Sequence, residues 1–142
     1  IAKARELQPE ARVYLFGFSL GGAVALEMAA RRDVTAVATL GAFTSLKDVA
    51  PALLRPFVTE QYDNLETIKR VSEPILLLHG TKDETVDTRM AERLEKAGGA
   101  NVIRINLTGG GHWVPLDSIA EKIWLQWEEA EAGKPAAAEN AP

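Results

Sequence analysis

Three residue types that together could perform acyl transfer, a serine, an aspartate and a histidine, stand in loops directly after apolar runs. Ser19 occupies the centre of a G-x-S-x-G motif at residues 17–21, where an apolar run meets a run of helix-forming residues. The motif requires that context, because a serine on a tight strand-to-helix turn presents its hydroxyl above the sheet. The motif is also short enough to arise by chance, and the alternative is that Ser19 caps the helix that follows it.

A serine hydroxyl is a weak nucleophile unless a base takes its proton and a third group orients that base. Asp83 follows the apolar run of residues 74–79, and His112 follows the run of residues 102–107. We therefore predict Ser19 as nucleophile, His112 as general base and Asp83 as the acid that orients His112. Taken singly, Asp83 could instead bond the backbone of its own turn, and His112 could be an ordinary surface residue.

Other polar residues near Asp83 are weaker candidates for the same chemistry. His79 precedes Asp83 and ends the apolar run itself, so we predict a structural residue that bonds nearby backbone. Glu84 and Asp87 lie in the same loop region as Asp83 and are the alternative acids.

Aromatic residues flank two of the predicted site residues. Phe18 precedes Ser19, and Trp113 follows the histidine of the loop GGGHW. We predict that both line a substrate pocket, the alternative for Trp113 being a place in the core. Trp124 and Trp127 are predicted to lie in the core or at an interface.

The elements that must position these residues follow from the periodicity of the chain. Predicted helices alternate with apolar runs that indicate strands buried on both faces, which is typical of an α/β fold with a parallel sheet of about four strands and flanking helices. Because the carboxyl ends of parallel strands share one edge, the three loops should meet there. The predicted strands are Val13–Gly17, Val34–Leu40, Pro74–His79 and Val102–Leu107, and the predicted helices are Leu20–Arg32, Leu65–Val71, Thr88–Ala97 and Pro115–Trp127.

Composition supports one domain and excludes several functions. The 142 residues are 46% hydrophobic and 25% charged, enough for one core, and the predicted domain is 1–127 with a disordered tail at 128–142. The net charge of -4 argues against nucleic-acid binding. With no cysteine and two histidines, neither a metal nor another cofactor is expected.

Targeting signals are not apparent in the chain. No membrane span and no leader are visible, so a cytoplasmic location is expected. The chain begins at Ile1, so an N-terminal region could have preceded it.

The motifs GFSLGG, LLLHGTKDETV and GGGHW resemble those of the α/β-hydrolase superfamily. The run of residues 62–86 is similar to a branch of small serine hydrolases that includes the protein depalmitoylases, and the resemblance extends over residues 11–127. It implies the same three roles for the serine, aspartate and histidine, with the backbone N–H of Leu20 as one donor of the oxyanion hole. Trp113 departs from the small polar residue that many members carry after the histidine.

The resemblance also implies a segment that this chain lacks. The superfamily places about four strands before the serine turn, and that part supplies a second oxyanion-hole donor. Loss of one such donor typically costs about 100- to 1,000-fold in turnover. The first predicted strand, residues 13–17, lacks the charges and prolines that protect natural edge strands, so we expect it to pair with a second copy in a two-fold dimer or with an N-terminal segment on a separate chain.

The leading hypothesis is a serine hydrolase that cleaves small-molecule carboxylic esters or thioesters. The first alternative is a weak or non-catalytic hydrolase-like fragment that needs a partner or self-association to complete its site. A dinucleotide-binding module is a further alternative, but Ser19 replaces the second glycine of that fingerprint and residues 39–41 supply no acid for a ribose. A dehalogenase is disfavoured, because the turn carries serine rather than aspartate.

Overall fold

Four parallel strands alternate with helices in the computed structural model, which describes residues 1–51, 53, 55–58 and 62–132. The strands lie in the order β1-β2-β3-β4, and each neighbouring pair is parallel. This architecture confirms the predicted fold class. The strands are β1 Tyr14–Phe18, β2 Ala36–Leu40, β3 Ile75–Gly80 and β4 Val102–Leu107. The helices are α1 Ala2–Leu7, α2 Leu20–Ala29, α3 Leu46–Val49, α4 Asn64–Ile68, α5 Thr88–Gly98 and α6 Ala120–Ala132, with 3₁₀ turns at Arg55–Phe57 and Leu116–Ser118.

The two central strands are covered on both faces, as their uninterrupted apolar sequences predict. Every residue of β2 and β3 is buried. On one face, alternate strand residues such as Val37 and Leu77 pack against α2, α4 and α5. On the other face, Ala38 and Leu76 pack with Ile123 of α6. The core therefore has one layer on each side of the sheet, and the sheet holds the loops at its carboxyl edge in place.

The last helix begins and ends five residues later than the predicted helix Pro115–Trp127. Helix α6 continues past residue 128, where we expected a disordered tail to begin, and ends at Ala132. Trp124 Nε1 donates to Glu128 Oε1 at 2.6 Å, and Glu131 pairs with Arg12. The segment is rich in alanine and glutamate, which favour helix, and these contacts stabilise the helix further. The rest of the predicted tail, residues 133–142, lies outside the described residues. Among the described helices, none is long and apolar enough to cross a membrane.

Strand β1 is an edge of the sheet within the described part of the chain, and its surroundings are apolar. Phe16 and Phe18 are 39% and 37% exposed. Trp127, which we expected in the core or at an interface, is partly buried beside the second core layer and stacks on Tyr14 with ring centroids 4.7 Å apart. Trp124 is 54% exposed. An unpaired apolar edge of this kind favours pairing with another strand.

We expect residues 1–142 to self-associate as an isolated chain, because β1 has unpaired backbone groups between exposed aromatic side chains. Sedimentation across a dilution series should show a concentration-dependent dimer. A lysine at the edge opposes strand pairing, so Phe16→Lys should yield monomers, whereas Ile103→Lys on β4, also an edge strand, should not. The prediction is wrong if the wild-type chain is a monomer at every concentration, or if Ile103→Lys is the variant that dissociates.

Candidate active site

Ser19 lies on a strained turn between β1 and α2. Its φ of 50° and ψ of −117° make it the only non-glycine residue with positive φ among those described. A hydrogen bond from the Ser19 amide to the carbonyl of Leu40, at 2.8 Å, joins the turn to the end of β2. Gly17 allows the tight approach, because a Cβ there would lie 2.2 Å from the carbonyl oxygen of Gly21. The strand–turn–helix context predicted from the motif is therefore confirmed.

The Ser19 hydroxyl bonds an imidazole and does not cap the helix. No side-chain capping hydrogen bond is formed at the start of α2, so the capping alternative is wrong. The Oγ atom of Ser19 lies 3.0 Å from Nε2 of His112, and Nδ1 of His112 lies 2.8 Å from Oδ2 of Asp83. The carboxylate accepts a hydrogen bond from Nδ1–H, which leaves Nε2 without a proton and able to take one from the serine. The fold thus brings together the three residues predicted for acyl transfer.

Asp83 makes both of the contacts that the sequence suggested, with one oxygen for each. Oδ1 accepts hydrogen bonds from the amides of Thr85 and Val86, each at 2.8 Å, which is the turn role. Oδ2 bonds His112. The alternative acids lie elsewhere: Glu84 is exposed, and Asp87 caps α5 by accepting from the Arg89 amide at 2.9 Å.

Hydrogen bonds lower the pKa of both Asp83 and Asp87, but the donors differ. Burial alone would raise the pKa of Asp83, but hydrogen bonds from the Val86 amide, the His112 ring and the Thr85 amide outweigh it, so the pKa is lowered. Asp83 therefore stays ionised at a lower pH than an ordinary aspartate. Its contribution to stability is present above the ordinary aspartate pKa and is lost as the pH falls through the lowered value. At Asp87, hydrogen bonds from Arg89 lower the pKa to about 2.

Gly41, which the sequence analysis did not single out, lies against the imidazole of His112. Its φ is +64°, and a Cβ there would lie 3.1 Å from Cε1 and 3.2 Å from Nδ1 of the ring. The same Cβ would be 3.6 Å from Oδ2 of Asp83. A glycine that directly follows the buried strand β2 was the available signal, because that position faces the same edge as the serine turn.

We expect Gly41→Ala to lower any hydrolytic activity by about tenfold or more, because the methyl group displaces the imidazole as well as straining the backbone. Gly99→Ala is the matched control: its φ is +82°, but a Cβ there meets nothing within 4 Å. The control also places a side chain at positive φ and should lose stability with little loss of kcat. Unfolding temperatures and kcat measured for both variants check this. Equal losses of kcat in the two variants would show that strain alone, rather than contact with His112, is responsible.

The remaining predicted site residues are Phe18, Trp113 and Leu20. The ring of Phe18 packs on His112 with centroids 5.0 Å apart and planes tilted by 46°. Trp113 is 67% exposed, which excludes the core alternative, and its place in a substrate pocket stays a prediction. Leu20 is the first residue of α2, where backbone N–H groups have no intrahelical acceptor, so its amide is suited to an anionic oxygen.

The second histidine lies below the site. His79 is fully buried, and its Nε2 lies 2.9 Å from the carbonyl oxygen of Val86, which confirms the predicted bond to nearby backbone. In the part of the chain that the structure describes, no group of three or more histidine, aspartate or glutamate side chains could hold a metal ion.

Comparison with known proteins identifies a family of hydrolases. The model of the dienelactone hydrolase family matches residues 1–108. An uncharacterised protein of Mycobacterium tuberculosis is 36% identical over 107 residues, which are 72% of this chain and 38% of that protein. The human alpha/beta hydrolase domain-containing protein 17B is 32% identical over 82 residues, which are 57% of this chain and 28% of that protein.

A solved structure shows the same architecture. The esterase domain of a Rhodothermus marinus protein superposes with a TM-score of 0.70 at 26% identity and covers 87% of this chain. The chain in turn covers 64% of that structure. The sequence therefore spans less than two thirds of each of these three proteins.

Proposed function

We propose a serine-hydrolase function for this chain, which belongs to the dienelactone hydrolase family of α/β-hydrolases. In this proposal the chain cleaves carboxylic ester or thioester bonds through an acyl-enzyme on Ser19. One observation carries it: a hydrogen-bonded path runs from the Ser19 hydroxyl through the imidazole of His112 to the carboxylate of Asp83. A serine that only caps a helix and an aspartate that only closes a turn need no such path. A nucleophilic serine does need it, because a base must take the hydroxyl proton.

The proposed acylation uses each of the three side chains once. Ser19 Oγ attacks the carbonyl carbon of the substrate while His112 Nε2 takes the hydroxyl proton, and the buried carboxylate of Asp83 stabilises the imidazolium. The tetrahedral intermediate collapses when the bond to the alkoxide or thiolate breaks, and the imidazolium gives its proton to that leaving group. The product of this half-reaction is an acyl ester on Ser19 and a free alcohol or thiol.

Deacylation repeats the sequence with water as the nucleophile. His112 takes a proton from water as the water oxygen attacks the acyl carbon, and the same proton returns to Ser19 Oγ when the acyl bond breaks. The carboxylic acid then leaves and the serine is restored. In both halves a negative oxygen develops at the start of α2, where the Leu20 amide and the positive end of the helix dipole stabilise it.

The solved esterase domain supports the class of bond that is cleaved, and it does not identify a substrate. The Rhodothermus marinus neighbour is described as an esterase domain, and its identity to this chain is 26%. We carry over from it the class of bond, a carboxylic ester, and extend this to thioesters because the same acyl-enzyme forms from either. The half-buried His112, with Phe18 packed on its ring, leaves the acyl group next to an apolar surface.

A second candidate is a fragment that reaches full activity only when a partner completes the site. The edge strand β1 favours this alternative, because Phe16 and Phe18 are exposed along it. The superfamily resemblance assigns the second oxyanion-hole donor to a segment that pairs beyond this edge. If the partner is a second copy, the specific activity should rise with protein concentration in parallel with the dimer fraction.

Hydrolysis of a short p-nitrophenyl ester, and of a thioester with the same acyl group, tests the proposed function. We expect turnover above the buffer rate for both substrates. Constant specific activity across a dilution series supports the complete enzyme, and activity that falls on dilution supports the partner-dependent alternative. Hydrolysis at the buffer rate in both dilute and concentrated samples, from a protein shown to be folded, would contradict the complete enzyme and the alternative in which the partner is a second copy.

A further inference from the structure

His79 contacts the carboxylate of Asp83 as well as backbone. This histidine ends β3 and is fully buried. Its Nε2 atom lies 2.9 Å from the carbonyl oxygen of Val86 and 3.3 Å from Oδ2 of Asp83. The oxygen it approaches is the one that accepts the hydrogen bond from His112. A second imidazole therefore lies against the proposed acid, on the side away from solvent.

The protonation of His79 follows from its partners. A carbonyl oxygen and a carboxylate oxygen are both acceptors, so Nε2 must carry the proton and donate it. The other ring nitrogen, Nδ1, is buried and has no hydrogen-bond partner among the described residues. His79 is thus oriented through one N–H group, which donates to the carbonyl of Val86 and lies 3.3 Å from Oδ2 of Asp83.

This contact completes the set of donors around the Asp83 carboxylate. Oδ1 accepts from the amides of Thr85 and Val86, and Oδ2 accepts from His112 and faces the N–H of His79. Because N–H groups lie beside both oxygens, the carboxylate is held against rotation about its Cβ–Cγ bond. Val86 links the two histidines, since its amide donates to Asp83 and its carbonyl accepts from His79.

We propose that His79 is a positioning residue for the serine-hydrolase site. Its Nε2–H holds Asp83 and Val86 in the arrangement that makes His112 present Nε2 to Ser19. This role rests on the proposed function and adds to it a residue that does not touch the substrate. It differs from a purely structural role, because the effect must pass through the orientation of the His112 ring.

We expect His79→Phe, which keeps an aromatic ring and removes the donor, to lower kcat by about 10- to 100-fold. A loss of this size is typical when a group that orients the catalytic base is misplaced, and here the variant removes the N–H that lies 3.3 Å from Oδ2 of Asp83. KM should stay within about twofold of the wild-type value, because the imidazole acts in the transition state rather than in substrate binding. Loss of packing alone would instead lower the unfolding temperature and leave kcat per folded molecule unchanged.

Two amide variants provide matched controls at the same position. The side-chain nitrogen of His79→Gln reaches about as far as the Nε2 of histidine, whereas that of His79→Asn reaches only the position of Nδ1. We expect the glutamine variant to restore kcat to within about threefold of wild type and the asparagine variant to resemble His79→Phe. If the phenylalanine variant does not fold, the comparison of glutamine with asparagine carries the test.

NMR of the imidazole nitrogens of His112 provides a readout that does not depend on activity. In the wild-type and His79→Gln proteins Nδ1 should carry the proton, and in His79→Asn or His79→Phe the two tautomers should mix. Wild-type kcat with an unchanged His112 tautomer in a folded His79→Phe or His79→Asn protein would overturn the proposal, as would a glutamine variant no better than asparagine. If the wild type hydrolyses nothing, the proposed function fails, and the NMR comparison still decides whether His79 positions His112.

Discussion

Replacing Ser19 or His112 by alanine is expected to reduce ester hydrolysis to the level of the buffer blank. Ser19→Ala removes the nucleophile, and His112→Ala leaves the serine hydroxyl without the base that lies 3.0 Å from it. Residues of such a set act as a unit, so either change should lower kcat/KM by about 1,000-fold or more. The double variant should be no worse than either single variant, because the second change removes nothing that still functions.

The control for these losses is a serine outside the site. Ser118 lies in the 3₁₀ turn before α6, where its hydroxyl donates to the carbonyl of Pro115. Ser118→Ala should keep kcat/KM within about twofold of the wild-type value. Because it is the same substitution as Ser19→Ala, an effect of preparing the variant would lower the activity of both proteins. Steady-state hydrolysis of a p-nitrophenyl ester by the folded variants provides the comparison. Wild-type activity in the Ser19→Ala protein would end the assignment of this residue as nucleophile.

Asp83→Asn should be nearly as damaging, with an expected loss of about 10,000-fold in kcat. The asparagine amide donates to Nδ1 of His112, so the ring proton moves to Nε2, which then cannot accept the proton of Ser19. Volume and packing hardly change, so the variant should stay folded at neutral pH. The measurement is kcat beside the unfolding temperature, with circular dichroism to establish the fold.

The alternative acids supply matched controls for the Asp83 variant. Glu84→Gln changes an exposed side chain, and Asp87→Asn keeps a residue that still caps α5. Both should retain kcat within about threefold. If either of these changes abolishes hydrolysis while Asp83→Asn does not, the acid has been assigned to the wrong residue.

The serine, aspartate and histidine of the site could be predicted, because apolar runs in the sequence show where strands end and the alternation of strands with helices indicates a parallel sheet. Apolar runs of strand length identify β2 and β3, and parallel strands place their carboxyl ends on one edge. A serine, an aspartate and a histidine that each follow such a run must therefore approach one another. That argument needs only the order of elements along the chain, and the structure confirms the approach.

The contacts beneath the site could not be predicted in the same way. The approach of Gly41 to His112, and of His79 to Asp83, depends on side-chain rotamers and on how closely neighbouring strands pack. No periodicity in the sequence reports such distances. The end of α6 was missed for a different reason: its last residues lack large apolar groups, and hydrogen bonds such as that from Trp124 support them instead.

Covalent labelling with a fluorophosphonate probe tests the central claim most directly, because the probe phosphonylates a serine only when that serine is activated. Intact-mass measurement and peptide mapping should show one adduct per folded chain, on Ser19. The His112→Ala protein should label far more slowly, since its serine has lost the general base. Label on another residue, or no label on folded wild-type protein at any concentration, would contradict the account.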